Sequence, residues 1–109
     1  MVTNKPTYDL AEIKFLVRTG KYLTSARIRN YLLNHDYPPP DTTEDVINAI
    51  LKTNFYKSVE LHNAPGIYAD VYRHVNCYSE EWYVKLFIDE NQKIRLVSIW
   101  SLNEEGSQH

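Results

Sequence analysis

The sequence has little that crosslinks the chain, binds metal in a known pattern or spans a membrane. Its 109 residues include one cysteine, Cys77, which excludes an internal disulfide. The C-x-x-C and H-x-x-x-H spacings of classical zinc sites are absent, and we predict no metal and no cofactor. No apolar run approaches the ~18 residues of a transmembrane helix, and the N-terminus lacks the apolar stretch of a signal peptide. We therefore expect a cytoplasmic protein with no membrane partner.

A strong excess of one charge is also missing. Twelve Lys and Arg residues against 14 Asp and Glu give a formal charge of −2, which argues against a broad basic surface that coats nucleic acid. A local cationic cleft remains compatible with this balance. The 43% hydrophobic content is typical of a packed globule, and the length predicts a single domain over residues 1–109.

The first half of the chain, residues 8–52, carries three helix patterns. Each begins with a side chain that can accept hydrogen bonds from the first helical N–H groups, and apolar residues follow at helical spacing. A glycine, a run of three prolines and a change of period then end the three patterns in turn. The predicted helices run from Asp9 to about Arg18, from Thr24 or Ser25 to about His35, and from Asp41 to about Lys52.

The second half, residues 55–100, changes to the two-residue alternation of strands. Because the apolar face of the sheet must be covered, we predict an α+β fold in which three N-terminal helices pack on one face of an antiparallel, mainly four-stranded sheet. Residues 101–109 are polar and are predicted to form a frayed tail. The predicted strands are 56–62, 67–74, 82–89 and 93–100.

Alternation also predicts which side chains share a face. The apolar pairs of the second hairpin are expected to be Trp82 with Trp100, Val84 with Ser98, Leu86 with Leu96, and Ile88 with Ile94. If Val71 shares that face, Tyr72 lies opposite Tyr83, and Lys57 lies opposite Tyr72. These last three residues then form a row on the face away from the helices, and one β-bulge would change the arrangement. The residues that follow on that face are Asp70, Lys85 and Arg95.

A sheet face with lysine, tyrosine and arginine suits RNA cleavage, in which a ribose 2′-hydroxyl attacks the neighbouring phosphate. This reaction needs a base, an acid and cations around phosphorus, and tyrosine rings can stack unpaired bases. Arg73 and His74, near the end of a strand, are further candidates for a phosphate site. The same pattern also fits a solvated face with cross-strand Tyr–Lys packing, and the sequence has no local enzyme signature.

Four short segments follow one another in the strand half: N-F-Y-K-S at 54–58, D-V-Y-R at 70–73, W-Y-V-K-L at 82–86 and L-V-S at 96–98. In order and spacing they resemble the MqsR (motility quorum-sensing regulator) family of bacterial toxins. The resemblance implies a RelE-like fold, metal-independent endoribonuclease activity on mRNA, and a cognate antitoxin, a DNA-binding protein encoded nearby, that neutralises the toxin.

The same resemblance implies which residues are functional. The functional lysine of F-Y-K-S falls on Lys57, the tyrosine of the Y-hydrophobic-K strand on Tyr83, and the arginine of D-V-Y-R on Arg73. Alternation puts Arg73 on the opposite face from Lys57, so that a bulge or an edge position is needed to bring them together. Two positions differ from the type member of that family: Ala69 stands in place of a glutamine, and Trp100 in place of a lysine.

Two functions remain open from the sequence, beside a purely structural small domain, which the lack of any motif outside the family segments leaves possible. The first is an mRNA-cleaving toxin, in which Lys57 and Arg73 stabilise the phosphate. Tyr83 then donates a proton or orients the substrate, because the ordinary tyrosine pKa near ~10 suits an acid better than a base, and the base stays unassigned. The second is a catalytically weak RNA- or protein-binding module on the same fold, which Ala69, Trp100 and the acidic balance favour. In the first function, the catalytic residues are Lys57, Tyr83, Arg73 and His74, and the RNA-binding residues are Tyr72, Lys85 and Arg95.

Overall fold

The computed structural model describes residues 2–103, and its first half forms three helices. The predicted caps of the first two are confirmed. The Asp9 carboxylate accepts a hydrogen bond from the Glu12 N–H at 3.2 Å, and the Ser25 hydroxyl accepts one from the Ile28 N–H at 3.2 Å. These caps supply acceptors for N–H groups that have no partner inside the helix. The helices are α1 (Leu10–Arg18), α2 (Ala26–Asn34) and α3 (Pro39–Asn48).

The third helix begins earlier than predicted. It starts at Pro39 rather than Asp41, because the first helical residues need no N–H donor and the fixed φ of proline suits a helix start. It also ends at Asn48, short of the expected Lys52. A separate 3-10 turn, Lys52–Asn54, then leads into the sheet.

Six strands form one mixed sheet within the described residues, in the order β1-β3-β4-β5-β6-β2. The expectation of a mainly four-stranded antiparallel sheet preceded by all the helices is corrected. The first strand precedes α1, and the second lies between α1 and α2 and pairs in parallel with β6. Two-residue strands show too little alternation to be recognised in a sequence. The strands are β1 (Val2–Thr3), β2 (Tyr22–Leu23), β3 (Phe55–Leu61), β4 (Ala64–Cys77), β5 (Glu80–Ile88) and β6 (Ile94–Ser101).

The helices pack on one face of the sheet and form the hydrophobic core with it. Trp82 lies at the centre of this face, fully buried, and its indole N–H donates to the Cys77 carbonyl at 3.0 Å. The side chains between the core positions point to the other side of the sheet, here called the open face. Core residues include Ile13, Val17, Ile28, Leu32, Val46, Ile47, Tyr72, Val75, Trp82, Val84, Leu86 and Ile99.

A bulge in β6 shifts half of the predicted register of the second hairpin. Val97 is the extra residue, since Lys85 pairs with Ser98 while Leu86 pairs with Leu96. The predicted pairs of Leu86 with Leu96 and of Ile88 with Ile94 are confirmed. The other two are wrong: the observed pairs are Val84 with Ile99, Tyr83 with Trp100, and Trp82 with Ser101.

The tail predicted over residues 101–109 begins too early, because Ser101 is buried and is the last residue of β6; residues 104–109 lie outside the described residues. Between residues 2 and 103, no helix has the length and apolar character required to cross a bilayer.

Candidate functional site

A row of four neighbouring positions crosses the open face from β3 to β6. Lys57 pairs with Val71, Val71 with Lys85, and Lys85 with Ser98, so that the side chains of all four share one face. The predicted row of Lys57, Tyr72 and Tyr83 is therefore wrong. Tyr72 pairs with Phe55 and Val84, on the helix side.

Tyr72 and Asp70 both belong to the buried side of the sheet. The Tyr72 ring is 1% exposed and meets the Phe55 ring edge-on, with centroids 5.8 Å apart. Burial also raises the pKa of Tyr72 above its ordinary value. The Asp70 carboxylate accepts hydrogen bonds from the backbone N–H groups of Thr7 and Tyr8 at 2.9 Å. The RNA-binding role predicted for Tyr72 rested on a shared face with Lys57, and that basis is lost.

Arg73 lies on the open face, in agreement with the family motif and against simple alternation. Alternation failed because it placed Val71 on the core side, whereas Val71 pairs with Lys57 and Lys85. A bulge follows Arg73, with His74 at a φ of 59° in the left-handed region. Because of this bulge, Arg73 lies on the open face, whereas Val75, two residues later, is buried in the core.

Two cations share one tyrosine ring at this position. The Arg73 guanidinium carbon lies 4.0 Å from the centroid of the Tyr56 ring, and the Lys57 Nζ lies 5.1 Å from the same centroid. Both distances are within the range of cation–π attraction. Tyr56 is positioned here by an irregularity in the β3 ladder between Phe55 and Lys57. Tyr56, Lys57, Arg73 and Tyr83 are called the cationic cluster below.

Tyr83 completes the cluster as a half-buried hydroxyl. Burial raises the pKa of Tyr83, the positive charge of Arg73 opposes this shift, and Tyr56 adds to it. The net direction is upward, so that the hydroxyl keeps its proton around neutral pH and can donate it. The Tyr83 ring stacks on the Trp100 ring, with centroids 3.9 Å apart and planes 11° apart.

His74 adjoins the cluster through its position next to Arg73. Its ring Nδ1 lies 2.9 Å from the Glu81 Oε1, and its backbone carbonyl accepts a hydrogen bond from the Asn54 side chain at 3.1 Å. The carboxylate orients the imidazole, and an Nδ1–H donor in this contact leaves Nε2 as the acceptor.

The cations of the open face differ in whether a carboxylate neutralises them. Among the described residues, Lys57, Arg73 and Lys85 form no ion pair. Arg95, in contrast, donates from Nε to the Asp89 carboxylate at 2.7 Å, and this hydrogen bond lowers the pKa of Asp89. The positive potential of the face therefore comes from Lys57, Arg73 and Lys85, and Arg95 contributes less.

Sequence reasoning missed two residues of the site, Tyr56 and Trp100. Tyr56 is part of the F-Y-K-S segment, but strict alternation assigns it to the face opposite Lys57. Trp100 was expected on the core face because the Val97 bulge leaves no mark in the sequence. The available signal for both was their position in or beside the motif segments.

No metal site is evident in the described part of the chain, residues 2–103, where no three His, Cys, Asp or Glu side chains are grouped to hold an ion. Cys77 is half-buried, and burial raises the pKa of its thiol, which disfavours the reactive thiolate.

The fold and the open face define a small α+β protein in which two cations and two tyrosines, Lys57, Arg73, Tyr56 and Tyr83, come together on the sheet face opposite the helices. A family profile described as motility quorum-sensing regulator, toxin of MqsA, matches residues 5–101, and the chain belongs to this family. It is therefore a toxin of a toxin–antitoxin pair, and its partner is an antitoxin. The resemblance seen in the four sequence segments is thus confirmed. A search of individually curated proteins gave no match.

Proposed function

We propose that this toxin is a metal-independent endoribonuclease that cleaves mRNA, with Lys57, Arg73 and Tyr83 as its catalytic groups. One observation carries the proposal: two cations without carboxylate partners in the described chain flank one tyrosine ring, and a protonated tyrosine lies beside them. Membership of a toxin family supports it. An mRNA substrate implies a cytoplasmic site of action.

The proposed reaction transfers a phosphoryl group within the RNA. The ribose 2′-oxygen forms a bond to phosphorus, and the bond from phosphorus to the 5′-oxygen of the next nucleotide breaks. Lys57 and Arg73 stabilise the negative charge that develops on the phosphate oxygens. Tyr83 donates its proton to the departing 5′-oxygen, since its hydroxyl is protonated at neutral pH.

The proton of the 2′-hydroxyl needs an acceptor, and His74 is our candidate. Its contact with Glu81 at 2.9 Å orients the ring, so that Nε2 can take the proton. Carboxylate orientation of a histidine base is a general device of enzymes. Lys85, next to Val71 in the row of the open face, is proposed to contact the RNA backbone.

Cleavage of a long single-stranded RNA in EDTA tests the proposal. The wild type is expected to give discrete products, whereas Lys57→Ala is expected to give none. Lys93→Ala is the matched control, because Lys93 is an exposed lysine in the turn between β5 and β6 and lies outside the cationic cluster. Intact RNA with the wild type, or equal cleavage by Lys57→Ala, would contradict the assignment.

A catalytically weak binding module remains the second candidate function. Ala69 and Trp100 favour it, since the open face carries an alanine methyl and an indole there, and neither group binds a phosphate. The same RNA separates the two candidates: binding that depends on Lys57 without product formation would support the module. For either function, we propose that the antitoxin is a DNA-binding protein encoded beside the toxin.

A further inference from the structure

A small cavity lies at the outer edge of β6, where the strand meets α2. The partner strand on this side, β2, pairs only with Ile94 and Arg95, so α2 takes over beyond that point. The cavity has a volume of about 190 Å³, below the roughly 300 Å³ of sites for drug-sized ligands, and it suits one flat ring. Its lining residues are Arg27, Ile28, Tyr31, Ser98, Ile99 and Trp100.

Two side chains of helix α2 bind backbone groups at the outer edge of β6, and Ile99 lies between these two contacts. Arg27 donates from Nη2 to the Val97 carbonyl at 3.2 Å, and the Ser101 N–H donates to the Tyr31 hydroxyl at 3.1 Å. Because alternate residues of a strand point their peptide groups to the same side, the N–H and C=O of Ile99 also face this edge. The cavity therefore offers one peptide donor and one peptide acceptor side by side.

One aromatic ring lies between the cavity and the cationic cluster and contacts both. Trp100 forms a wall of the cavity and stacks on Tyr83, with centroids 3.9 Å apart. Arg27 brings a positive charge to the rim, and it forms no ion pair within the described residues. An aromatic wall, a guanidinium and an adjacent donor and acceptor match the flat face and the polar edge of a nucleobase.

We propose that this cavity, called the β6 cavity, binds one unpaired nucleobase of the RNA whose phosphate lies at the cationic cluster. The inference rests on the proposed ribonuclease function and adds to it a base-recognition site. An added strand of a protein partner fits the edge less well, because strand addition requires a run of outward peptide groups. Here side chains of α2 already bind the Val97 carbonyl and the Ser101 N–H, which interrupts such a run.

Abasic scanning of a bound oligonucleotide tests this site. The probe is a single-stranded RNA around a mapped cleavage site, with 2′-O-methyl groups to prevent cleavage and with one base removed at a time. We expect the wild type to lose about tenfold in affinity at one position, in line with the loss of one stacked base. In Arg27→Ala, that extra loss is expected to disappear, because the site no longer holds the base.

Arg29→Ala is the matched control on the same helix. Arg29 is exposed, bonds to Thr24 and does not line the β6 cavity, so this variant is expected to keep the wild-type abasic profile. A second variant, Trp100→Leu, removes the aromatic wall and is expected to lose the same position-specific effect. Unmodified RNA is cleaved in parallel, where Arg27→Ala is expected to raise KM and relax the base preference at that position with kcat retained.

The outcomes separate the two proposals. If the wild type cleaves RNA but its abasic profile is flat or unchanged in Arg27→Ala, the base site is wrong and the ribonuclease proposal stands. If the wild type neither binds nor cleaves RNA, both are wrong. If Arg27→Ala weakens binding of the antitoxin and leaves the abasic profile unchanged, the cavity is a protein-docking site and the base site is overturned.

Discussion

The rings of Tyr83 and Trp100 lie face to face, with their centroids 3.9 Å apart and their planes 11° apart. This stack exists because the extra residue Val97 moves Trp100 from the core face to the open face. Trp100 is 9% exposed and covers one face of the Tyr83 ring, and burial raises the pKa of Tyr83. A bulge in one strand thus places the ring that stacks on a tyrosine of the next.

Removing the Trp100 ring tests this relationship. In Trp100→Ala, we expect the pKa of Tyr83 to fall toward the ordinary tyrosine value, because the hydroxyl becomes more solvated. The free energy of unfolding is expected to fall by about 3 kcal/mol, as for other large aromatic truncations. NMR titration of the tyrosine ring carbons measures the pKa, and Trp100→Phe, which keeps a stacked ring, is the control. An unchanged Tyr83 titration in Trp100→Ala would contradict this account.

Replacing the Tyr83 hydroxyl tests its role as a proton donor. Tyr83→Phe keeps the stacked ring, so we expect stability within about 1 kcal/mol of the wild type and RNA cleavage slower by roughly 100-fold or more. The donor must be protonated, and its pKa is raised; its contribution should therefore persist through neutral pH and decline only as the pH rises through that raised value. Rates of wild type and variant across this range measure it. Equal rates would remove Tyr83 from the mechanism.

Tyr72 provides a test of the observed register. Because its ring is 1% exposed on the helix side, Tyr72→Phe is expected to leave RNA cleavage unchanged. Tyr72→Ala is expected to lower the free energy of unfolding by about 3–5 kcal/mol, since it opens a cavity in the core. Urea unfolding and the RNA assay measure the two effects. A loss of cleavage in a stably folded Tyr72→Phe would return Tyr72 to the site.

Asp70 is expected to matter for stability through the N-terminal segment. Its buried carboxylate accepts hydrogen bonds from the N–H groups of Thr7 and Tyr8, and Asp70→Ala leaves both without that acceptor. We expect a loss of about 2–3 kcal/mol in unfolding free energy, and a smaller loss in Asp70→Asn, which keeps one acceptor oxygen. Equal stability of wild type and Asp70→Ala in urea would show that these bonds are not needed.

The features that the sequence predicted correctly are local ones. The caps at Asp9 and Ser25 depend on a few neighbouring residues, and long runs of alternation predict the central strands. The faces of the sheet depend on the ladder as a whole, and irregularities at Tyr56, His74 and Val97 alter it. These three residues are not glycines and carry no turn signature, and so the sequence gives no warning of the shifts.

Part of the candidate site could also be predicted from the sequence, because three of its residues lie in the family motifs. The family motifs identified Lys57, Arg73 and Tyr83 without any knowledge of the register, and the structure brings these residues to one face. Tyr56 and Trp100 join them only through bulges, which act over contacts between strands rather than along the chain. The motifs therefore identified Lys57, Arg73 and Tyr83 as candidates, whereas the fold was needed to place Tyr56 and Trp100 beside them.

Cleavage of an RNA that lacks one 2′-hydroxyl tests the central claim most directly. The substrate is a short RNA around a mapped cleavage site, compared in EDTA with the same RNA carrying 2′-deoxyribose on the 5′ side of the cut. The account predicts that the wild type cuts the first and leaves the second intact, because the attacking oxygen is missing. Equal cutting of both RNAs, or cutting of neither, would contradict it.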